Sequence, residues 1–421
     1  MDVWTYLLTI VHTPTRPHIH TMIDTIKALN DEIFEDVVRL RRAIHRNPEL
    51  ALEEHETARL VQQTLALLDL DVRTGVAQTG IVATLRGGQP GPTLMLRADM
   101  DALPIQEAND FDFASQNPGR MHACGHDAHT SSLLGTAMIL SRLRDHVHGT
   151  VRFLFQPSEE RLPGGARVMI EEGALAADAA GPAPEVAFGQ HVTPELPVGT
   201  IGLRSGMYMA SADEIYLTVK GQGGHAAGPH KLRSDAVLVA SHLVVALQSV
   251  ISRHCPPDVP SVLSIGRFIA DGATNIIPET TRLEGTFRAM DETWRFQAHG
   301  LIRRVAEHTV QAFGADLDLE IKVGYPALYN HPAPTTFLRE AAHAYVGEEN
   351  IVDLDLWFAS EDFAYYLREV PGSFYRLGTG NEAKGIVHGL HTPRFTIDEE
   401  ALRLGPGFMA YMAWRYGTAG R

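Results

Sequence analysis

Apolar residues recur at two different spacings along the chain, and these spacings separate helices from strands. Near the start, Ile33, Val37, Leu40 and Ile44 recur every three or four positions, which predicts an amphipathic helix that Pro48 ends. A second helix is expected to follow. Short, almost continuous apolar runs then predict strands that are covered on both faces. The second helix is predicted at residues 53–68, and the strands at 80–87, 93–99, 151–155 and 186–189.

Beyond residue 205 the pattern changes to an alternation of apolar and polar positions, which is typical of half-exposed strands. Six elements follow in the order strand, helix, strand, strand, helix, strand: 214–220, 234–251, 261–269, 281–290, 293–313 and 316–323. This order is that of a split βαβ, ferredoxin-like domain.

The change of pattern predicts two domains in the 421 residues. We expect a smaller α+β domain of residues 206–323, inserted into a larger α/β domain that is built from residues 22–205 and 324–421. Residues 1–21 carry no periodicity, so we expect a poorly ordered tail there.

Four potential metal ligands lie close together before one predicted helix: His122, Cys124, His126 and His129. Side chains two positions apart point to the same side of extended or looped backbone, so Cys124 and His126 are expected on a loop, aimed at one point. Asp127 is expected to cap the helix that follows. Thiolate and imidazole suit zinc, and also accept cobalt, nickel or manganese. The alternative is a buried cysteine near surface histidines.

Acidic residues and a histidine follow three of the predicted strands. Asp99 and Asp101 end the strand at 93–99, Glu159 and Glu160 follow the next strand, and His191 follows the one after. Each could be structural by itself: aspartates cap turns, and paired glutamates are usually solvated. In open α/β sheets, however, chemistry takes place beyond the carboxyl ends of the strands. Three strands whose carboxyl ends are followed by Asp, Glu and His therefore indicate that these residues form a single functional site.

Composition excludes several classes of protein. The net charge of −15 makes nucleic acid an unexpected partner, because phosphate binding needs a basic face. The two cysteines, Cys124 and Cys255, are too few for a disulfide framework, so we expect a reducing, cytoplasmic compartment. The apolar run at 6–11 is too short for a bilayer and lacks a basic flank, and we expect neither a membrane span nor a signal peptide.

The motifs together resemble those of the di-metal amidohydrolases related to aminoacylase and to carboxypeptidases. Within that family the chain is most similar to the branch of hippurate hydrolase and plant auxin-conjugate hydrolases. The motifs are 96–104 (LRADMDALP), 124–127 (CGHD), 155–160 (FQPSEE), 224–227 (GHAA), 360–363 (SEDF) and 390–391 (LH). The resemblance implies a zinc-exopeptidase-like catalytic domain, with a mixed sheet sandwiched by helices, and an inserted lid domain.

The resemblance also implies a role for each residue of the metal site. Cys124 would bridge two divalent metal ions, and three histidines and a glutamate would complete their shells: His126, Glu160, His191 and His391. Glu159 would be the general base. Asp101 would orient a ligand. The wider family has an aspartate in place of Cys124 and a His-x-Asp in place of Asp99 and Asp101, so Asp99 is not carried over as a ligand.

Three lid residues match positions that bind substrate in the family. Asn275 and Arg288 would hold the carboxylate of the substrate, and His225 would polarise the scissile carbonyl, in some members across a dimer. We therefore expect a homodimer or homotetramer that forms through the lid.

The function implied is hydrolysis of an N-acyl or N-aroyl amino acid. The alternatives are a dipeptidase or carboxypeptidase, or a deacetylase of the N-acetyl-diaminopimelate type, with the same centre. A non-catalytic metal-binding protein is a further alternative, but it predicts loss of the base, whereas Glu159 is present.

Overall fold

The computed structural model of the protein describes residues 21–418. The tail predicted for residues 1–21 lies outside this part, except for Thr21. The side chain of Thr21 accepts a hydrogen bond of 3.2 Å from the backbone N–H of Asp24 and so caps the first helix. Helices α1 (Met22–Arg46) and α2 (His55–Leu65) follow, with α2 shorter than the helix predicted over 53–68.

An eight-stranded mixed sheet forms the body of the molecule, with the strand order β1-β2-β4-β3-β5-β16-β6-β15. The central strands β4, β3, β5 and β16 run parallel, so their carboxyl ends lie at the same edge. The strands are β1 (Asp71–Val76), β2 (Gly80–Arg86), β3 (Gln89–Asp99), β4 (His148–Gln156), β5 (Val186–Pro197), β6 (Ile201–Leu203), β15 (Ile351–Asp353) and β16 (Gly372–Gly380).

Helices cover both faces of this sheet, and alternate residues of one strand show how. Leu94 and Leu96 of β3 belong to an apolar core with α1, α3 (His126–Arg142) and α9 (Gly405–Thr418), whereas Met95 packs on the opposite side. That side is covered by α4 (Gly165–Glu171) and α8 (Phe363–Glu369). Helix α7 (Pro332–Val346) joins the first layer. The predicted sheet sandwiched by helices is confirmed.

A second, four-stranded antiparallel sheet has its own core. Its order, β10-β12-β8-β13, and its two helices are those of the predicted ferredoxin-like domain. Apolar residues of both helices and the sheet form a separate cluster. The elements are β8 (Asp213–Lys220), α5 (Ala236–Ser249), β10 (Ser261–Ile269), β12 (Thr280–Ala289), α6 (Glu292–Ala312) and β13 (Asp316–Val323).

Two short strand pairs lie beside these sheets. Strand β9 (Gly224–His225) pairs with β11 (Ile276–Ile277), and β7 (Gly206–Met209) pairs with β14 (Leu328–Asn330). Met209 of β7 packs in a core of the large sheet, although residue 206 begins the range predicted for the lid. The exact domain boundaries stay a prediction.

One helical stretch among the described residues, Ala236–His254, is long and apolar enough to cross a membrane. A single such helix is weak evidence for a span, because helices of folded domains pass the same test. Here Val239, Ala240 and Leu243 are buried in the core of the four-stranded sheet.

The chain passes from the large domain to the smaller one and back again, and the two connecting segments are joined by an ion pair and hydrogen bonds. Arg295 of α6 pairs with Asp213, and Asp213 also accepts a hydrogen bond from the backbone N–H of Gly324. Next along the chain, the hydroxyl of Tyr325 donates to the backbone carbonyl of Glu159. The connection to the smaller domain is therefore bonded to the stretch that carries the predicted base.

Candidate metal centre

The ligand-rich stretch turns sharply into α3 at a glycine. Gly125 has φ of 86°, and a Cβ atom there would lie 2.3 Å from Cγ2 of Val192, so only glycine fits. The helix begins at His126 without a side-chain cap, so the prediction that Asp127 caps it is wrong. The carboxylate of Asp127 instead accepts from Nε of Arg41 at 2.7 Å and lies 2.8 Å from Nδ1 of His45.

Two of the four histidine and cysteine candidates face the predicted centre, and two do not. Sγ of Cys124 lies 3.4 Å from Nε2 of His191 and 3.4 Å from Nε2 of His391. His129 is occupied at both ring nitrogens: Nδ1 contacts Asp99 at 2.6 Å, and Nε2 accepts from the backbone N–H of Val192 at 2.9 Å.

His122 lies away from the other candidates. Its ring packs beside the ring of His45, with 6.3 Å between the centroids. It belongs to none of the clusters of potential metal ligands in the described part of the chain. Cys124 and His126, whose spacing marked them out, therefore converge, whereas His129 is hydrogen-bonded to Asp99 and Val192 and His122 packs beside His45.

All five predicted ligands converge at the carboxyl edge of the large sheet. His191 lies within β5, just past the point at which β5 stops pairing with β3, so this strand is longer than the predicted 186–189. Ligand atoms within 4.8 Å of one another form overlapping groups. Three groups contain the predicted ligands: Cys124, His126 and His191; Cys124, Glu160 and His391; and His126, Glu159 and Glu160. Two further groups are Asp99, His126 and His129, and Glu159, Glu361 and Asp362.

These residues fit divalent cations. Among the described residues, Nε2 of His126 and Oε1 of Glu160 are buried without a hydrogen-bond partner and lie 3.9 Å apart, as expected of atoms that bind something other than protein. Oε1 of Glu160 also lies 3.2 Å from Nε2 of His391, another predicted ligand. Thiolate, imidazole and carboxylate are the donors that zinc and similar metals take. The side chain of His391 is 52% exposed, whereas those of His126 and Cys124 are buried, so the centre opens to solvent on one side.

Asp101 holds the turn that carries Glu159 and Glu160. Its two carboxylate oxygens accept hydrogen bonds from the backbone N–H groups of Glu159, at 3.0 Å, and Glu160, at 2.9 Å. Nδ1 of His126 is bonded to the backbone carbonyl of Asp101 at 2.8 Å, and one of the carboxylate oxygens lies 3.3 Å away. Asp101 thus leaves Nε2 of His126 directed at the centre, mainly through its backbone; the orienting role of the carboxylate stays a prediction.

Glu54, which the sequence analysis did not identify, supports the same turn from the other side. Ser158 has φ of 55°, a conformation that a non-glycine residue adopts only when its surroundings hold it there. Buried Glu54 accepts from the backbone N–H of Ser158 at 2.9 Å, from that of Leu52 at 3.0 Å and from the hydroxyl of Thr79 at 2.6 Å. Burial, together with nearby Asp101, raises the pKa of Glu54 to about 7.

Asp99 is bound by an arginine. The guanidinium of buried Arg97 pairs with Asp99 and lies 2.8 Å from Asp362 and 3.0 Å from Glu361. These carboxylates raise the pKa of Arg97 against the effect of its burial. The other oxygen of Asp99 is 2.6 Å from Nδ1 of His129, and Asp99, His126 and His129 lie close enough together to form a further group of potential metal ligands. Glu361 and Asp362 belong to the SED motif at 360–362, but no local pattern predicts that they pair with Arg97.

The site is electronegative. Burial and the carboxylates around it, foremost Glu361 and Glu160, raise the pKa of Glu159 well above its usual range. Burial alone would lower the pKa of His126, but Asp99 and Asp101 raise it to about 10. Positive charge is thus strongly favoured at this point, which is the condition a cation site needs.

A cavity of about 260 Å³ opens beside the ligands. Its lining comprises ligands, the SED loop and apolar side chains: Cys124, Glu159, Glu160, His191, Met209, Trp357, Ala359, Ser360, Glu361, Leu390 and His391. The predicted lid residues are not among them. His225 and Asn275 lie together, since the carbonyl of Asn275 accepts from the N–H of Ala226, and Arg288 lies on β12.

Fold, ligand cluster and sequence profile define the class of protein. Residues 95–415 match peptidase family M20/M25/M40, and the chain belongs to this family. It is a metal-dependent amide hydrolase. The chain is 39% identical over 398 residues to "Putative amidohydrolase YhaA" of Bacillus subtilis (strain 168), with 94% of this chain and 99% of the relative covered.

Two further relatives carry more specific names. An "N-acyl-L-amino acid amidohydrolase" of Geobacillus stearothermophilus is 41% identical over 308 residues, which cover 73% of this chain and 81% of the relative. "IAA-amino acid hydrolase ILR1-like 4" of Arabidopsis thaliana is 37% identical over 394 residues, which cover 92% of this chain and 87% of the relative. The predicted family is confirmed.

A solved structure of similar fold is described as dinuclear. It is the YXEP protein of Bacillus subtilis, "a Dinuclear Metal Binding Peptidase from M20 Family", with a TM-score of 0.78 and 34% identity. The match covers 92% of this chain and 99% of that one. This likeness and the ligand cluster agree on divalent metal binding.

Replacing Cys124 by alanine should remove metal and activity together, because its Sγ is shared by two of the ligand groups. Elemental analysis after gel filtration and an amide-hydrolysis assay measure the two quantities. Cys255→Ala is the matched control, since Cys255 is the other free cysteine and lies in the four-stranded-sheet domain. Full metal content in Cys124→Ala would contradict the assignment.

Replacing Glu54 by glutamine should make thermal stability less dependent on pH. A folded-state pKa raised from 4.5 to about 7 means that the protonated form is favoured in the folded state, so this stabilisation is complete below about pH 4.5 and is lost as the pH rises through 7. Glutamine keeps an acceptor for Ser158 and does not titrate. The melting temperature of the wild type should therefore fall relative to that of Glu54→Gln between these pH values.

The neighbouring Glu53→Gln serves as the control, because Glu53 is an exposed residue paired with Arg120. Its melting temperature should follow that of the wild type at every pH. Parallel curves for the wild type and Glu54→Gln would show that Glu54 does not titrate in this range.

Proposed function

We propose that the protein hydrolyses the amide bond of N-acyl or N-aroyl L-amino acids, and releases a carboxylic acid and a free amino acid. The observation that carries the proposal is a buried carboxylate, Glu159, next to a five-residue donor set and bonded through its backbone to Asp101. The relative from Geobacillus stearothermophilus, named for this activity, supports it.

The chain's own residues can supply the proton transfers of amide hydrolysis. Two divalent ions, when bound, would acidify a water and stabilise the charge that develops on the carbonyl oxygen. We assign their binding to Cys124, His126, Glu160, His191 and His391. Glu159 would then take the proton of the attacking water and deliver it to the leaving nitrogen.

The lid residues are proposed to bind the amino acid half of the substrate. Arg288 is half-buried, its Nη1 donates to the hydroxyl of Thr286 at 2.6 Å, and it makes no ion pair with any carboxylate of residues 21–418. Such a guanidinium is available for a bidentate pair with the substrate carboxylate. Asn275 would assist it, and His225 would polarise the carbonyl. Since none of the three lines the cavity, closure of the lid or a partner subunit would bring them to it.

We further propose zinc, manganese, cobalt or nickel as the metal, since thiolate, imidazole and carboxylate accept all four. Two free cysteines are consistent with a cytoplasmic enzyme, and a homodimer or homotetramer would form through the lid. Size-exclusion chromatography with light scattering tests the assembly.

A metallo-dipeptidase, a carboxypeptidase or a deacetylase of the N-acetyl-diaminopimelate type would use the same centre. A panel of N-aroyl amino acids, N-acetyl amino acids and dipeptides, each assayed with the four metals, distinguishes these activities. The proposal requires N-acyl or N-aroyl amino acids to be cleaved with the highest kcat/KM.

Glu159→Gln should lower turnover by about 10²- to 10⁴-fold, because glutamine has nearly the same shape but cannot accept the proton. Metal content should stay near that of the wild type, since Glu159 is proposed as the base. A Gln variant with full activity would remove the assignment, and one that has lost its metals would make Glu159 a ligand.

Arg288→Ala should raise KM for substrates with a free α-carboxylate by about 10- to 100-fold, as expected for loss of a charged hydrogen-bonded pair. The methyl esters of the same substrates should be almost unaffected. Arg282→Ala, an exposed arginine on the same strand, is the matched control. Equal effects of Arg288→Ala on acids and esters would refute the carboxylate clamp.

A further inference from the structure

His129 is a buried histidine of the ligand-rich stretch that has no part in the proposed ligand set or in the proposed chemistry. Its ring lies beside those of two proposed ligands, with its centroid 5.4 Å from that of His126 and 4.6 Å from that of His191. Asp99, His126 and His129 could together hold a metal. Both ring nitrogens of His129, however, have partners in the protein, whereas Nε2 of His126 has no hydrogen-bond partner within residues 21–418. The protein contacts of His129 therefore indicate its role.

The backbone pairing around His191 is incomplete on one side of its strand. Strand β5 pairs with β3 only as far as Gly189, which faces Arg97, so this ladder stops before His191 is reached. On its other side, β5 continues to pair with β16, where Arg376 faces His191. A buried backbone N–H that has no strand partner needs another acceptor. Val192, which is buried directly after His191, has such an N–H.

His129 supplies this acceptor and connects it to the end of β3. Its Nε2 accepts from the N–H of Val192 at 2.9 Å, and its Nδ1 lies 2.6 Å from a carboxylate oxygen of Asp99, the last residue of β3. Because Nε2 accepts, the ring proton is on Nδ1 and is donated to Asp99. The hydroxyl of Thr130 donates to the backbone carbonyl of Asp99 at 2.7 Å and binds the same turn of α3 to this strand end. The imidazole thus bridges β3 and β5 beyond the end of their backbone ladder.

Val192, which His129 holds, in turn orients the ring of His191. Nδ1 of His191 donates to the carbonyl of Val192 at 2.6 Å, which leaves Nε2 for a metal, and this Nε2 lies 3.4 Å from Sγ of Cys124. A hydrogen bond at the second nitrogen fixes the tautomer and the ring orientation of a ligating histidine. Nη1 of Arg376 donates to the same carbonyl at 3.3 Å. Val192 is therefore held at its N–H by His129 and at its carbonyl by Arg376, and its position sets that of His191.

We propose that His129 is a positioning residue of the metal centre, which binds no metal itself and fixes His191 through the backbone of Val192. The inference rests on the ligand set assigned with the proposed function and adds a supporting residue to it. His129 does not line the cavity beside the ligands, so it acts through His191 and not on the substrate. Loss of a group that holds a metal ligand in place typically lowers metal affinity by about 10- to 100-fold.

The test separates the two hydrogen bonds of the His129 ring. In His129→Asn the amide nitrogen can take the place of Nδ1 and keep the bond to Asp99, but the side chain is too short to reach Val192. In His129→Gln the longer side chain can place its amide oxygen near the position of Nε2 and keep an acceptor for Val192. Zinc is added to the metal-free proteins, and competition with a chelator, followed by elemental analysis, measures the number of bound ions and the affinity for each.

His129→Asn should still bind two zinc ions at saturation, but its affinity for one of them should fall by about 10- to 100-fold. His129→Gln should bind both ions within about threefold of the wild type, since it keeps the acceptor for Val192. His191→Ala should lose one ion. When His129→Asn is added to His191→Ala, the affinity for the remaining ion should not change further, because the two residues act on the same ion.

His122→Asn is the matched control, because His122 is a buried histidine of the same stretch and belongs to no group of potential ligands within residues 21–418. It should leave the affinity for both ions unchanged. If His129→Asn does not fold, His129→Leu replaces it, since leucine fills much of the space of the ring without an acceptor, and the same loss of affinity is expected.

Four results would overturn the inference alone. They are unchanged affinity in His129→Asn, an equal loss in His122→Asn or in His129→Gln, a further loss when His129→Asn is added to His191→Ala, and the binding of only one ion by His129→Asn at saturation. The last result would make His129 a ligand. Full binding of both ions by His191→Ala would instead overturn the ligand set of the proposed function, and the inference with it.

Discussion

The structure depends on the concentration of buried negative charge at one edge of the large sheet. Asp99, Asp101, Glu159, Glu361 and Asp362 are all buried there. Arg97 compensates three of these carboxylates directly, but Glu159 is left with a pKa well above its usual range. Burial of like charges is costly unless cations or protons balance them. The atoms of His126 and Glu160 that have no partner within residues 21–418 face this same excess of negative charge, so a cation bound there would also relieve the repulsion between the carboxylates.

This arrangement also explains why the backbone is strained at two places. Ser158 and His391 both adopt positive φ next to the centre. Asp101 and Glu54 hold the first of these turns by accepting three successive backbone N–H groups, from Ser158 to Glu160. Fixed carboxylates thus hold Glu159, the proposed base, and Glu160, a proposed ligand, in position in advance, which is cheaper than ordering them during the reaction.

The sequence was sufficient for the parts that depend on local pattern. The spacing of Cys124 and His126, and the acidic pair after an apolar strand, predicted residues that do converge. The ferredoxin-like order followed from the alternation of elements alone. The roles assigned to Glu159 and to the lid residues stay predictions that only experiment can test.

The sequence did not predict the features that depend on contacts between residues far apart in the chain. Asp127 looks like a helix cap, but Gly125, packed against Val192, takes the cap position two residues earlier, and Asp127 pairs with Arg41 instead. Nothing local separates His129 from His126; the difference is Asp99 and the backbone of Val192. Glu54 supports the turn through hydrogen bonds from Thr79 and Ser158, which are distant in the chain, so no local pattern identifies it.

The hydrogen bond from Tyr325 to the carbonyl of Glu159 has a mechanical consequence. Tyr325 stands directly after the place where the chain returns from the smaller domain, and Gly324 beside it is bonded to Asp213 on the outgoing crossing. A rotation of the smaller domain about this linkage would have its axis beside Glu159, the proposed base. With an axis at this position, atoms at the far end of the smaller domain would move a long way, whereas Tyr325 and Glu159 would move little.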